Sequence, residues 1–138
     1  MQSLSLEIAD KLLAAACTHA HSAYSKPVCV AVCDALGFLI AFSRMDGAPV
    51  RSIQLAQQKA YTCTRMGTST VAFLERLRAD DVPIGFFCDP LLTALPGGAL
   101  LADVHGRVLG AIGVSGLAPA DDQALAEQVA AGLLGLAG

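Results

Sequence analysis

The chain has 138 residues, of which 54% are apolar and 15% charged, a size and balance that suit one domain with a crowded core and exclude disorder. The net charge is −3, with no tryptophan and no run of lysine or arginine, which argues against a nucleic-acid partner. No apolar stretch approaches the roughly 20 residues that a membrane span requires, so no membrane partner is expected.

So much apolar surface on a small chain implies burial between subunits, and a homo-oligomer is expected. The first segment, MQSLSLEIADK, carries Glu7 and Asp10 where a secretion signal would carry basic charge, so the expected location is cytoplasmic. Cys17, Cys29, Cys33, Cys63 and Cys88 are odd in number and include no CxxC pair. Neither a disulfide framework nor a metal site is signalled, and all five read as small apolar fillers.

Residues 5–21 read as a helix, with Ser5 as its cap, Glu7 and Asp10 near its positive end, and Ile8, Leu12, Ala15, Ala16 and His19 on one face. His19 and His21 lie in its last turn. Two residues apart, they sit on different faces and cannot share a metal from one helix. Their plain reading is a pair of helix-terminal polar residues.

VCVAVC (28–33) and FLIAFS (38–43) are strand-like and joined through Gly37 as a hairpin. Both are apolar at nearly every position, which implies cover on both faces of their sheet.

A charged turn, Arg44-Met45-Asp46-Gly47, leads to a helix from about Pro49 to Met66, which Gly67 can cap. Ser52, Ile53, Ala56, Lys59, Ala60 and Cys63 recur on it at three- and four-residue steps, and the small side chains let it lie close to a sheet. Lys59 at the margin of that face must snorkel outward or meet an acceptor. The two readings are a solvated surface lysine and a contact for an anion in a cleft.

Thr68, Ser69 or Thr70 opens a further short helix that Pro83 ends. Residues 84–95 are ambiguous between a pocket wall and core. Pro96-Gly97-Gly98 is either a plain turn or a backbone anion nest. Two strands, 98–103 and 107–114, form another hairpin with His105 at its tip. Gly110, Gly113 and Gly116 recur in the last strand, where glycine marks close approach by a ligand or by another backbone. Pro119, Asp121 and Asp122 start the final helix, whose stripe is Leu125, Ala126, Val129, Ala130, Leu133 and Leu134.

The expected order is α-β-β-α-α-β-β-β-α, a single α+β domain over 1–138 with one antiparallel sheet of about five strands and helices packed on it.

Four segments carry a resemblance: VAVCDALGFLIAFSRMDGA (30–48), SIQLAQQKAYT (52–62), LPGG (95–98) and GAIGVSGLAPADDQALA (110–126). Together they resemble the family that contains GlcG, the haem-binding protein HbpS and the C-terminal domain of PduO, often called the haem-degrading domain family. The resemblance implies a five-stranded antiparallel sheet, homo-oligomers up to octamers, and binding of haem or, in the PduO branch, a link to corrinoid metabolism. It also implies association with catabolic or cobalamin-related pathways. The family pattern falls on Asp34, Gly37, Arg44 to Gly47, Ser52, Lys59, Ala60, Pro96 to Gly98, Gly110, Gly113, Ser115, Gly116 and Asp122. The family commonly has proline where this chain has Leu100, and glycine where it has Leu117.

Three functions follow as expectations. The first is a small oligomer that binds haem or a related tetrapyrrole, with Arg44 and Lys59 facing propionates and His19 or His21 meeting the iron. The second is an enzyme or sensor for a small organic acid in a cleft formed by Arg44, Asp46, Ser52, Lys59, Pro96, Gly97, Gly98, Gly113 and Ser115. The third is an assembly protein whose glycines serve packing alone. No nucleophile–base pair is visible, so a binding or accessory role is expected ahead of catalysis.

Overall fold

The computed structural model describes residues 3–136. The elements are α1 (Leu6–His19), continued by a π-helical turn over Ala20–Tyr24, β1 (Cys29–Asp34), β2 (Leu39–Arg44), α2 (Arg51–Met66) and α3 (Thr70–Asp80). A short 3₁₀ turn (Ile84–Phe87), β3 (Gly98–Ala102), β4 (Val108–Ser115), α4 (Pro119–Ala131) and α5 (Leu133–Leu136) complete the fold.

The ends of these helices follow local chemistry. Ser5 Oγ accepts from the Ile8 N–H at 3.1 Å, and Ser69 Oγ accepts from Ala72 N–H at 3.1 Å, each satisfying a donor that the first turn leaves free. Gly67 closes α2 at φ 69°, a left-handed conformation that suits glycine.

The sheet has four strands in the order β2-β1-β4-β3, every pair antiparallel. The expectation of about five strands is therefore corrected to four, and the order to α-β-β-α-α-β-β-α. Residues 84–95 supply no further strand; they form the 3₁₀ turn and a loop. The start of the outer edge of β3 is also occupied. Thr70 Oγ1 accepts from the N–H groups of Gly97 (3.0 Å) and Gly98 (2.8 Å), and Gln123 Nε2 donates to the Gly98 carbonyl at 3.0 Å. Side chains from two helices thus satisfy the Gly98 backbone groups at the start of that edge.

Alternation along the strands builds two cores. Val30, Val32, Leu101, Ile112 and Val114 face α1 and α4, where they pack with Leu12, Ala16, Leu125 and Val129. Cys29, Ala31, Cys33 and Ala111 face α2, where they meet Ala56, Ala60 and Cys63. Helices therefore cover both faces of the sheet, α2 on one and α1 with α4 on the other. Cover is thinnest at the β2 edge. There Leu39 keeps 51% of its surface exposed, against the expectation that both strands of the first hairpin are covered.

Candidate functional site

The site is organised by how close α2 comes to the sheet. A Cβ on Gly113 would strike the Ala56 carbonyl and, at 2.8 Å, the Ala60 nitrogen. A Cβ on Gly98 would lie 2.6 Å from Cys63 Sγ and 2.7 Å from the Lys59 carbonyl. Gly113 in the last strand and Gly98 paired with it thus admit the approach of α2, whereas Gly110 faces the Cys33 carbonyl of β1. Cys33 and Cys63 fill the same layer, and burial pushes their thiols up to about 11 and about 12, so both stay protonated and inert at neutral pH.

Lys59 emerges from this layer with no exposed surface, which sets aside the snorkelling reading. Its stem passes Gly97, where an added Cβ would lie 2.6 Å from Nζ and 2.8 Å from Cδ. Lys59 Nζ then donates to the Val114 carbonyl at 2.9 Å and to Asp122 Oδ2 at 3.2 Å. The other carboxylate oxygen of Asp122 accepts from the Leu117 N–H at 2.9 Å. A cation on α2 is thereby tied to an anion in the first turn of α4, on the other side of the sheet. Burial lowers the Lys59 pKa, opposed by the charge of Asp122 and their hydrogen bond. Burial likewise raises that of Asp122, opposed by Lys59 and the Leu117 N–H.

Beside this pair, Thr70 Oγ1 donates to Gln123 Oε1 at 3.0 Å, and Gln123 Nε2 also donates to Glu127 Oε1 at 2.9 Å. At the start of α2, Ser115 Oγ donates to Ser52 Oγ at 3.1 Å, both side chains buried. Six of the expected cleft residues, Ser52, Lys59, Gly97, Gly98, Gly113 and Ser115, are thus buried where α2 meets the sheet, with Ser52 bonded to Ser115 and the Lys59 stem packed against Gly97. Pro96 is half-buried beside them, whereas Arg44 and Asp46 are exposed at and just beyond the end of β2. Sequence reading did not single out Thr70 or Gln123, and it gave Asp122 no partner. A lysine set within a face of small residues is the signal that a buried acid had to be found for it.

His19 and His21 stand apart from this network. His19, at the end of α1, is half-buried in a concavity of about 230 Å³ with Ala15, Gln128, Val129, Gly132 and Leu136. His21 is exposed in the π-helical turn. Among the described residues no group of three or more His, Cys, Asp and Glu side chains could hold a metal ion, and no helix is long and apolar enough to cross a membrane.

Residues 4–131 match the family described as haem degrading protein HbpS-like. The chain belongs to this HbpS-like family. Protein GlcG of Escherichia coli K12 is 35% identical over 112 residues, 81% of each chain. An uncharacterized 15.0 kDa protein from the dhaT-dhaS intergenic region of Citrobacter freundii is 34% identical over 131 residues, covering 89% of this chain and 92% of that one.

Among solved structures, a double mutant of Streptomyces reticuli HbpS is similar at a TM-score of 0.82 and 30% identity, with 95% of this chain and 87% of that one covered. A complex of PduOC with heme is similar at a TM-score of 0.83 and 27% identity, with 94% of each chain covered. The HbpS-like fold of this chain thus extends to relatives whose names carry haem.

Proposed function

We propose that this HbpS-like protein is an accessory protein that binds haem or a related tetrapyrrole, held between protomers, with His19 or His21 as the ligand to the metal. The observation that carries this reading is the placement of His19. It is a half-buried imidazole on an apolar concavity walled by Ala15, Val129 and Leu136, in a chain whose likeness to the heme complex of PduOC spans 94% of its length.

The donor set fits part of such a site. An imidazole is a suitable axial ligand and the walls beside it are apolar. The concavity of about 230 Å³ is small beside the ~300–1,000 Å³ of ordinary ligand pockets. One protomer therefore offers one side of a tetrapyrrole site, and a second copy closes the other. Arg44 is exposed and open to a propionate, whereas Lys59 is enclosed and already bonded to Asp122. A carboxylate at Lys59 would first have to part that pair, so the geometry favours the histidine site over the organic-acid cleft. When bound, a haem would supply its own iron chemistry; this chain would position it and exclude water.

The test is a titration of the purified apo-protein with hemin, followed by Soret absorbance and by size-exclusion chromatography with light scattering. The expected result is a saturable band at one haem per protomer or per pair, lost in the His19→Ala, His21→Ala double variant. A flat titration on an intact oligomer overturns the reading. A band unchanged in the folded double variant overturns the assignment of the ligand.

A further inference from the structure

A second concavity lies across the sheet from His19. It is a hollow of about 160 Å³ lined by Cys33, Gly37, Leu39, Gln54, Gln57, Gln58, Ala60, Tyr61 and Leu91. Its floor is made of small residues because α2 lies so close to β1. Its walls are the Tyr61 ring and two leucines left 51% and 44% exposed, Leu39 and Leu91.

Three features give this hollow a chemistry. The Tyr61 ring is fixed in place, its hydroxyl donating to Asp89 Oδ2 at 2.6 Å and the Arg65 guanidinium lying 4.8 Å from the ring centroid. The amide nitrogens of two lining glutamines are committed elsewhere. Gln57 Nε2 donates to the Ile53 carbonyl at 3.0 Å, and Gln58 Nε2 to the Leu91 carbonyl at 3.3 Å. Among the described residues no donor is bonded to either carboxamide oxygen, so both are available as acceptors at the wall. No charged side chain is among the lining residues, and the Cys33 thiol is neutral. An apolar cavity of about 150 Å³ is large enough for a benzene ring.

We propose that this hollow is a binding site for a small, uncharged aromatic molecule that carries a hydroxyl or amino donor. The ring lies against Tyr61, Leu39 and Leu91, and its donor meets the carboxamide oxygen of Gln57 or Gln58. A carboxylate of the same size is disfavoured, because the nearby Arg65 guanidinium is held on the Tyr61 ring and is not among the lining residues that would offset its desolvation. The site lies on the α2 face of the sheet and is independent of the tetrapyrrole reading, which places its ligand at the end of α1.

Phenol and benzoate are the probes, titrated into the full-length protein and followed by two-dimensional NMR of backbone and methyl groups. Phenol is expected to shift Leu39, Ala60, Tyr61 and Leu91 saturably, with a Kd on the order of 1 mM for so small a ligand. Benzoate is expected to bind at least tenfold more weakly. Gln54→Trp, a change at an exposed helix position, should fill the hollow and abolish the phenol shifts while hemin titration is unchanged. Gln57→Leu keeps the shape and removes an acceptor, and should weaken phenol several-fold. Phenol shifts that fail to saturate, that map outside the hollow, or that benzoate reproduces at equal concentration overturn the proposal. Phenol binding that survives Gln54→Trp in a folded protein overturns it as well.

Discussion

Lys59 and Asp122 form an ion pair with 0% and 2% of their surfaces exposed, and they join helices packed on opposite faces of one sheet. Such a pair gains little over an apolar pair of the same shape, because the Coulombic attraction is offset by the cost of desolvating both charges. Its weight shows when one partner is removed. Asp122→Ala or Lys59→Met leaves a buried charge unmatched and should cost about 3–5 kcal/mol in urea or thermal unfolding. The Lys59→Met, Asp122→Leu double variant should recover most of that loss. A double variant no more stable than either single one would show that the pair does more than match charge.

The closeness of α2 to β4 gives a second prediction. Gly113 faces the backbone of Ala56 and Ala60, and backbone has no rotamer to yield. Gly113→Ala should therefore destabilise the protein by about 3 kcal/mol or more, through overpacking. Gly85 has no atom within 4 Å of an added Cβ, so Gly85→Ala should be close to neutral. Chemical denaturation of the two variants in parallel separates the steric effect at Gly113 from any general cost of replacing glycine.

The edge of β3 gives a third. In Thr70→Val the Gly97 N–H keeps Gln123 Oε1 at 2.7 Å, but the Gly98 N–H loses its acceptor inside the protein. An unpaired buried donor costs about 1–3 kcal/mol, and that is the expected loss. Thr70→Ser retains the oxygen and should restore most of the stability and the slow hydrogen exchange of the Gly98 amide. Equal losses in the two variants would assign the effect to the Thr70 methyl group.

The same two residues show where sequence reading ends. The helices and all four strands were legible within a few residues, since hydrophobic period and turn chemistry are local signals. Gly67 at φ 69° and Ser5 as a cap are cases in point. The small face of α2 announced a close approach, but the glycines of β4 left open whether a ligand or another backbone approached. What remained hidden were partnerships across long stretches of chain. Lys59 and Asp122 are 63 residues apart, and Thr70 and Gln123 are 53 apart. No periodicity links such positions. Asp121 and Asp122 read alike as helix-dipole residues; the family resemblance marks Asp122 alone, and the fold shows that it is the buried one. The fifth strand had no run of its own in the sequence: four strand-like runs were legible, and residues 84–95 form a turn and a loop.

The loop over 84–95 gives the last prediction, and it depends on pH. α2 holds this loop through Tyr61, whose hydroxyl donates to Asp89 Oδ2 at 2.6 Å, and through Thr62 Oγ1, which accepts from the Thr93 N–H at 2.9 Å. The Tyr61 bond holds the Asp89 carboxyl below the usual carboxylate range, and in return it raises the Tyr61 hydroxyl. For Asp89, a lowered pKa means that the contribution is complete above the ordinary value near 3.9 and disappears as pH falls through the lowered one. For Tyr61, a raised pKa means that the contribution is complete below the ordinary value near 10 and disappears as pH rises through the raised one. The loop should therefore open at both extremes and stay closed between them. Hydrogen exchange of the Leu91 amide, which donates to Asp89 Oδ1 at 3.0 Å, reports the acid limb. Its protection factor, corrected for intrinsic exchange, should be flat through the neutral range and drop in acid. Tyr61→Phe should lower protection at neutral pH, abolish the alkaline drop and move the acid drop to higher pH, because Asp89 then loses the bond that depresses it. An acid drop at the same pH in Tyr61→Phe would show that Tyr61 does not hold the carboxylate.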